Sequence, residues 1–127
     1  MRIFLVRHAE AEPGEPDALR PLTPGGRAAA RALGRELARR RPDAVVCSPL
    51  LRARETAEPI AREAGVRAEA DDRLAPGADV TDLSAVVTGR GETVVVVAHQ
   101  PDCGRIVLAL TGREVPFQPG GVAELEL

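Results

Sequence analysis

The sequence predicts an α/β fold, a three-layer sandwich in which a mainly parallel sheet carries helices on both faces. Two observations lead to this prediction. Short apolar runs rich in strand-forming residues alternate along the chain with stretches that open on a helix-start signal. The 127 residues are 44% hydrophobic and 28% charged, which is enough apolar material for one core. We therefore expect a single domain over residues 1–127.

The chain opens with a predicted strand and a long loop. Ile3–Val6 is an unbroken apolar run, as in a strand buried on both faces, and the polar, Pro-rich stretch 8–22 follows it as a loop. Thr23-Pro24 then marks a helix start, with a hydroxyl at the N-cap and Pro at the first helical position. This helix is expected to continue to about Arg41, where Pro42 stops it.

The next strand and helix repeat the pattern. Asp43–Cys47 is predicted to be a strand, and Ser48-Pro49 repeats the helix-start signal. The helix is expected to run to about Ala64, with Gly65 as its C-cap and a kink at Pro59. The remaining predicted elements are a short strand over Val66–Ala70, a loop over Asp71–Asp79, a helix over Asp79–Thr88, a strand over Thr93–Ala98, a helix from Pro101 to about Leu110, and an edge strand over Gly121–Leu127.

Composition excludes several classes of function. A net charge of −2 and the absence of Trp and Tyr argue against a general nucleic-acid binder, which needs a basic face and stacking surfaces. No apolar run approaches the roughly 20 residues of a membrane span, and the first ten residues lack a secretory signal. Cys47 and Cys103 form no C-x-x-C motif, so we expect reduced thiols and a cytoplasmic location.

Charged and polar residues follow three of the predicted strands. Arg7-His8 ends the first strand, Ser48 ends the second with Arg52 in the helix that follows, and His99 ends the valine-rich strand. In a parallel sheet these carboxyl ends share one edge, where ligands bind. Both histidines of the chain thus fall at that edge. The sequence therefore predicts one site that combines two imidazoles and two guanidiniums.

Such a set suits phosphoryl chemistry. Two guanidiniums and a helix N-terminus bind a tetrahedral dianion, a neutral imidazole can attack phosphorus, and a protonated second imidazole can donate to a phosphoryl oxygen. No metal or other cofactor is expected, because the arginines already supply the positive charge. A P-loop is excluded since the chain has no Lys, no G-x-S-x-G is present, and Cys103-Gly104-Arg105 is too short for a cysteine phosphatase loop. The histidines and cysteines also lack zinc-site spacing.

Several segments carry a family resemblance. Leu5-Val6-Arg7-His8-Ala9-Glu10-Ala11 resembles the Arg-His-Gly signature of the histidine phosphatase, or phosphoglycerate mutase-like, superfamily. The Arg-His-Ala-x-Ala variant is similar to its small bacterial branch, the SixA-type phosphohistidine phosphatases. Three further matches are Arg20-Pro21-Leu22-Thr23-Pro24-x-Gly26, Ser48-Pro49-x-x-Arg52-Ala53-x-x-Thr56-Ala57 and Val97-Ala98-His99-Gln100-Pro101.

The resemblance implies a role for each matching residue. His8 would be the nucleophile that carries the phosphoryl group, and Arg7, Arg52 and His99 would complete the phosphate pocket. Arg20 would either contact substrate or brace its loop. The substrate class it implies is phosphohistidine on a protein; the alternatives are a small phosphate ester, or phosphate binding without turnover.

Two positions depart from the family pattern. Ala9 stands where many relatives have Gly, and Pro76 stands where the larger enzymes place a Glu that donates a proton. The general acid is therefore unassigned. Its candidates are Glu10, Asp79 and Asp102, each of which could equally be a loop or capping carboxylate.

Overall fold

The computed structural model describes all residues from Met1 to Leu127 and contains one five-stranded sheet with four α-helices. The elements in chain order are β1 (Arg2–Arg7), α1 (Pro24–Ala38), β2 (Ala44–Cys47), α2 (Leu51–Ala64), β3 (Ala68–Ala70), α3 (Val80–Val87), β4 (Thr93–Ala98), α4 (Asp102–Thr111) and β5 (Val122–Glu126). Two short 3₁₀ turns lie at Asp17–Leu19 and Asp72–Leu74, within predicted loops. None of the helices has the length and apolar character needed to span a bilayer.

The sheet order is β3-β2-β4-β1-β5. Strands β1, β2, β3 and β4 pair in parallel, and β5 pairs antiparallel with β1. The carboxyl ends of β1, β4 and β2 are aligned, since Arg7 pairs with Ala98 and Cys47 pairs with Val97. This topology confirms the predicted fold class and places the residues after those strands side by side.

The core lies on both faces of the sheet. The valines of β4 alternate between the two faces: Val94 and Val96 pack with α3 and α4, while Val95 and Val97 pack with α1 and α2. All four valines are fully buried. A strand that contacts helices on both faces must be apolar throughout, which explains the unbroken valine run. The three-layer arrangement is thus confirmed.

Helix α1 begins where the sequence predicts and ends earlier. The Thr23 hydroxyl accepts a hydrogen bond from Gly26 N at 2.9 Å, with Pro24 at the first helical position. The predicted end near Arg41 was wrong, because the helix ends at Ala38 and Arg41 has a φ of 50°. Pro42 accounts for this, since proline disfavours the α conformation in the residue before it.

Three other predicted boundaries need correction. The Ser48-Pro49 pair is not a helix start: α2 begins at Leu51, and its N-cap Leu50 provides no side-chain cap. Pro101 is the N-cap of α4 and not its first residue, and the strand predicted over Val66–Ala70 is only three residues long. The edge strand is confirmed, with Leu125 buried between the exposed Glu124 and Glu126.

Candidate active site

The two histidines meet at the carboxyl edge of the sheet. His8 follows β1 and His99 follows the neighbouring β4, and their ring centroids are 5.3 Å apart in an edge-on arrangement. The His8 backbone N–H donates to Ala98 O at 3.1 Å, which continues the strand pairing up to the site. The sheet register therefore sets the distance between the two imidazoles.

The His8 ring is held in one tautomer. Its Nδ1 lies 2.8 Å from Ala9 O, and a carbonyl oxygen can only accept, so Nδ1 carries the proton. Burial lowers the pKa of His8, and the positive charges of Arg52, Arg7 and Arg20 lower it further, against the opposing effect of the Ala9 hydrogen bond. The ring is thus neutral at pH 7, with the lone pair of Nε2 available.

His99 is the more deeply buried histidine, with 3% of its surface exposed. Its Nε2 lies 2.7 Å from the Ser48 hydroxyl, whereas its Nδ1 is buried without any hydrogen-bond partner. Burial lowers its pKa to about 4, and the nearby His8 and Arg52 contribute in the same direction. His99 is therefore neutral in the ligand-free protein, and its Nδ1 is free to bond a ligand.

Two arginines border the histidines from different elements. Arg52 lies in the first turn of α2 and is 6% exposed, and its Nη1 donates to Asp17 O at 2.9 Å. Arg7 is the last residue of β1; its Nη1 donates to Phe117 O at 2.9 Å, and its Nε is buried without a partner. Unpartnered donors of this kind leave hydrogen bonds available for an anion.

Arg20 joins the same group through an acidic residue. Asp17 receives Arg20 Nη1 at 3.1 Å on one carboxylate oxygen and Arg52 Nη2 at 3.2 Å on the other. Arg20 Nε also donates to Glu12 O at 2.7 Å, which braces the loop before α1. Of the two roles that the sequence left open for Arg20, these bonds show the bracing of its loop, and contact with substrate stays a prediction.

The loop that carries His8 is supported by small residues and one hydroxyl. Ala9 N donates to Thr56 Oγ1 at 3.0 Å, and that hydroxyl donates to Arg52 O, which ties the loop to α2. Ala9 is 1% exposed, so its methyl group fills the space that a Gly would leave. A Cβ on Gly26 would lie 2.2 Å from Glu10 O, so only glycine permits this close approach of α1 to the loop.

The three candidate acids are all engaged elsewhere. Glu10 Oε1 receives the Thr23 hydroxyl at 2.9 Å, and Asp102, which is buried, receives Gly77 N at 2.8 Å. Asp79 caps α3 in a reciprocal box with Asp82, and the Asp82 backbone N–H lowers its pKa. Asp79 and Asp102 line a separate cleft of about 200 Å³. No hydrogen bond joins any of the three to the histidines.

Sequence reasoning missed two polar contacts of this site. Ser48 contacts His99 and Asp17 contacts both Arg52 and Arg20. A signal for Ser48 was present, because it follows a strand that neighbours β4. Asp17 offered no such signal, because it lies in a loop whose path the sequence pattern does not predict.

The assembled site can bind and attack a phosphoryl group. Three guanidiniums close to two neutral imidazoles provide charge-assisted donors for a dianion. The free Nε2 of His8 is a nucleophile, and His99 can donate from Nδ1 to an oxygen that gains charge. The structure contains no group of three His, Cys, Asp or Glu side chains that could hold a metal ion.

Fold and site together define a class of phosphoryl-transfer proteins, and comparison identifies it. Residues 3–76 match the profile of the histidine phosphatase superfamily (branch 1), and the chain belongs to that superfamily. No curated protein sequence matches the chain. Membership in this superfamily makes the protein a phosphatase.

Comparison with solved structures indicates which branch of the superfamily the chain resembles. The protein histidine phosphatase SixA in complex with tungstate is 30% identical, with a TM-score of 0.86 over 100% of this chain and 88% of that one. A protein assigned to the SixA phosphohistidine phosphatases, from Agrobacterium tumefaciens, is 28% identical, with a TM-score of 0.82 over 98% and 90%. A mycobacterial glucosyl-3-phosphoglycerate phosphatase shares the fold at 20% identity, with a TM-score of 0.79 over 98% and 90%. The resemblance to the SixA-type branch is thus confirmed.

Proposed function

We propose that this protein is a metal-independent phosphatase that works through a phosphohistidine intermediate on His8 and removes phosphate from phosphohistidine on a protein. The observation that carries the proposal is the state of His8. Its Nδ1–H is fixed on Ala9 O at 2.8 Å, so an unprotonated Nε2 lies beside His99. The interior location of both free cysteines suits a cytoplasmic enzyme.

The proposed reaction has two steps. His8 Nε2 attacks phosphorus, a new N–P bond forms, and the N–P bond of the substrate breaks as its imidazole leaves. Water then attacks phospho-His8, which releases inorganic phosphate and restores the free ring. Arg7, Arg52 and His99 Nδ1–H donate to the phosphoryl oxygens in both steps, where negative charge is greatest.

The leaving group argues for phosphohistidine. Pro76 replaces the Glu of the larger enzymes, and Glu10, Asp79 and Asp102 are engaged in other bonds. Without an acid, an alkoxide leaves slowly because it is about as basic as hydroxide, the conjugate base of water with its pKa of 15.7. A phenolate, with a conjugate pKa near 10, leaves more easily. An imidazole leaves neutral once its ring is protonated, which occurs near pKa 6.5.

The shape of the site argues for a protein substrate. Between β1 and α1 the only helical element is the 3₁₀ turn Asp17–Leu19, so the chain has no inserted α-helix there that could enclose a small substrate. A site without such an insertion admits a side chain that projects from a folded partner, whereas a small ester would remain largely solvated.

Comparison of three substrate types tests the proposal. Under one set of conditions, kcat/KM is measured for a phosphohistidine peptide, p-nitrophenyl phosphate and glycerol phosphate. We expect that order, with at least ~10²-fold between first and last, since general acid help is typically worth that much. Equal turnover of glycerol phosphate would show that an acid is at work and favour the small-ester alternative. Binding of phosphate without turnover of any of the three would favour the binding module.

A further inference from the structure

Asp17 is the only acidic side chain that contacts the arginines of the site. Its two carboxylate oxygens receive different guanidiniums, Arg20 Nη1 at 3.1 Å and Arg52 Nη2 at 3.2 Å. Its backbone carbonyl receives Arg52 Nη1 at 2.9 Å as well. One residue therefore connects α2, which carries Arg52, to the loop that carries Arg20.

The bonds of Arg52 leave part of its guanidinium free. Asp17 uses one N–H of each terminal nitrogen, Nη1 and Nη2. A guanidinium has five N–H groups, so three remain, and one of them is on Nε along the lateral edge. The lateral edge, formed by Nε–H and one N–H of the adjacent terminal nitrogen, can donate to two phosphoryl oxygens in parallel. Asp17 meanwhile stays bound to the terminal edge between Nη1 and Nη2. Asp17 and a phosphoryl group can thus be bound at the same time.

Arg20 shows the complementary arrangement. Its Nε donates to Glu12 O and its Nη1 to Asp17, so Nη2 and the second N–H of Nη1 have no protein acceptor. A flexible arginine loses considerable rotamer freedom when it binds an anion, and one that is already held loses less. The hydrogen bond from Arg20 lowers the pKa of Asp17, which keeps the carboxylate charged and bound to both partners.

We propose that Asp17 is a positioning residue, which holds Arg20 and Arg52 by the edges that the phosphoryl group does not use and so organises the phosphate pocket. The proposal rests on the proposed function above, which assigns Arg52 to the phosphoryl group, and it adds Arg20 to the same pocket. Asp17 makes no contact with the reacting atoms in this account.

Two effects of removing the carboxylate oppose each other. Loss of a negative charge near an anion site favours anion binding. Loss of the two ion pairs leaves each guanidinium with one backbone acceptor, Asp17 O for Arg52 and Glu12 O for Arg20, and so disfavours anion binding. The Asp17 side chain is 61% exposed, so solvent and salt screen its repulsion of the anion. The side chain of Arg52 is only 8% exposed, so its pairing is the less screened of the two effects. We therefore expect the positioning effect to dominate.

The test is tungstate binding measured by calorimetry, because it needs no turnover. Asp17→Ala should weaken tungstate binding by about 10-fold or more. Asp17→Asn keeps one acceptor oxygen and should weaken it less. Asp72→Ala is the matched control: Asp72 is also an exposed first residue of a 3₁₀ turn, its carboxylate has no hydrogen-bond partner, and its replacement should leave the affinity unchanged.

A double-mutant cycle shows whether Asp17 acts through the arginines. In an Arg52→Ala background, and separately in an Arg20→Ala background, the effect of Asp17→Ala should shrink to about threefold or less. An undiminished effect in both backgrounds would overturn the proposal. So would equal or tighter binding by Asp17→Ala, which would show that the carboxylate competes with the anion.

The same assay separates this proposal from the proposed function. If the unaltered protein binds tungstate and the cycle behaves as expected, but no phosphorylated substrate is turned over, only the phosphatase is refuted. If the unaltered protein binds no tungstate, the phosphate pocket and the role of Asp17 are both refuted. If turnover is observed while Asp17→Ala binds tungstate normally, only the role of Asp17 is refuted.

Discussion

Acidification should destabilise this protein through His99. The ring is buried with only 3% of its surface exposed, and burial lowers its pKa to about 4. In the unfolded chain a histidine has a pKa near 6.5. As the pH falls below 6.5 the unfolded state takes up a proton before the folded state does, so the free energy of unfolding decreases.

The size of this effect follows from the two pKa values. The gap between 6.5 and about 4 corresponds to about 3 kcal/mol, at 1.36 kcal/mol per pKa unit. The full loss is reached only below pH 4, and roughly 2 kcal/mol is lost between pH 7 and pH 4.5. The chain has only two histidines, and the carboxylates that begin to titrate near pH 4.5 are common to the protein and its histidine variants.

Urea denaturation at half-unit pH steps from 7 to 4.5 measures the effect. The contribution of His99 is the difference between the unaltered protein and His99→Gln, since His8 is present in both. We expect the variant to lose about 2 kcal/mol less over this range. Parallel curves for the two proteins would refute the reasoning, as would an NMR titration of His99 with a midpoint near 6.5.

Three further predictions concern the chemistry of the site. Arg52→Ala should lower kcat/KM by ~10²-fold or more, as for other donors to a transition state. Arg54 is an exposed neighbour on α2, and Arg54→Ala should change kcat/KM little. An equal loss in both variants would mean that Arg52 has no special role. Ser48→Ala leaves Nε2 of His99 unpaired in the interior and should lower kcat by roughly 10-fold, whereas Ser84→Ala, at the only other serine, should not. Turnover should persist in excess chelator, because the arginines supply the positive charge; loss of activity restored by one divalent ion would contradict this.

The strands and helices of the fold followed from local patterns where a pattern had only one physical solution. Four successive valines fit only a strand that is covered on both faces, and β4 is such a strand. The Thr23-Pro24 signal was correct because the threonine hydroxyl caps its own helix. The same signal at Ser48-Pro49 was wrong, because α2 begins only at Leu51; the Ser48 hydroxyl accepts a hydrogen bond from Leu50 N at 3.2 Å and also bonds His99 from the neighbouring strand. A hydroxyl that looks like a helix cap in the sequence can thus serve a tertiary contact as well.

The positions at strand ends predicted that His8 and His99 would lie together, as they do, but they did not predict the contacts among the site residues. Parallel topology makes strand ends adjacent, so His8 and His99 could be paired from the sequence. The tautomer of His8 depends on a 2.8 Å bond to Ala9 O, and the bridge through Asp17 depends on the path of a loop. Neither this hydrogen bond nor this bridge is encoded in a periodic pattern of the sequence.

Trapping of the intermediate tests the central claim most directly. The protein is mixed with a ³²P-labelled phosphohistidine peptide and quenched with base, and the labelled residue is located by mass spectrometry. We expect an acid-labile, base-stable phosphoryl group on His8 that forms and decays fast enough to match turnover and is absent from His8→Asn. A label on any other residue, or full activity in His8→Ala, would contradict it.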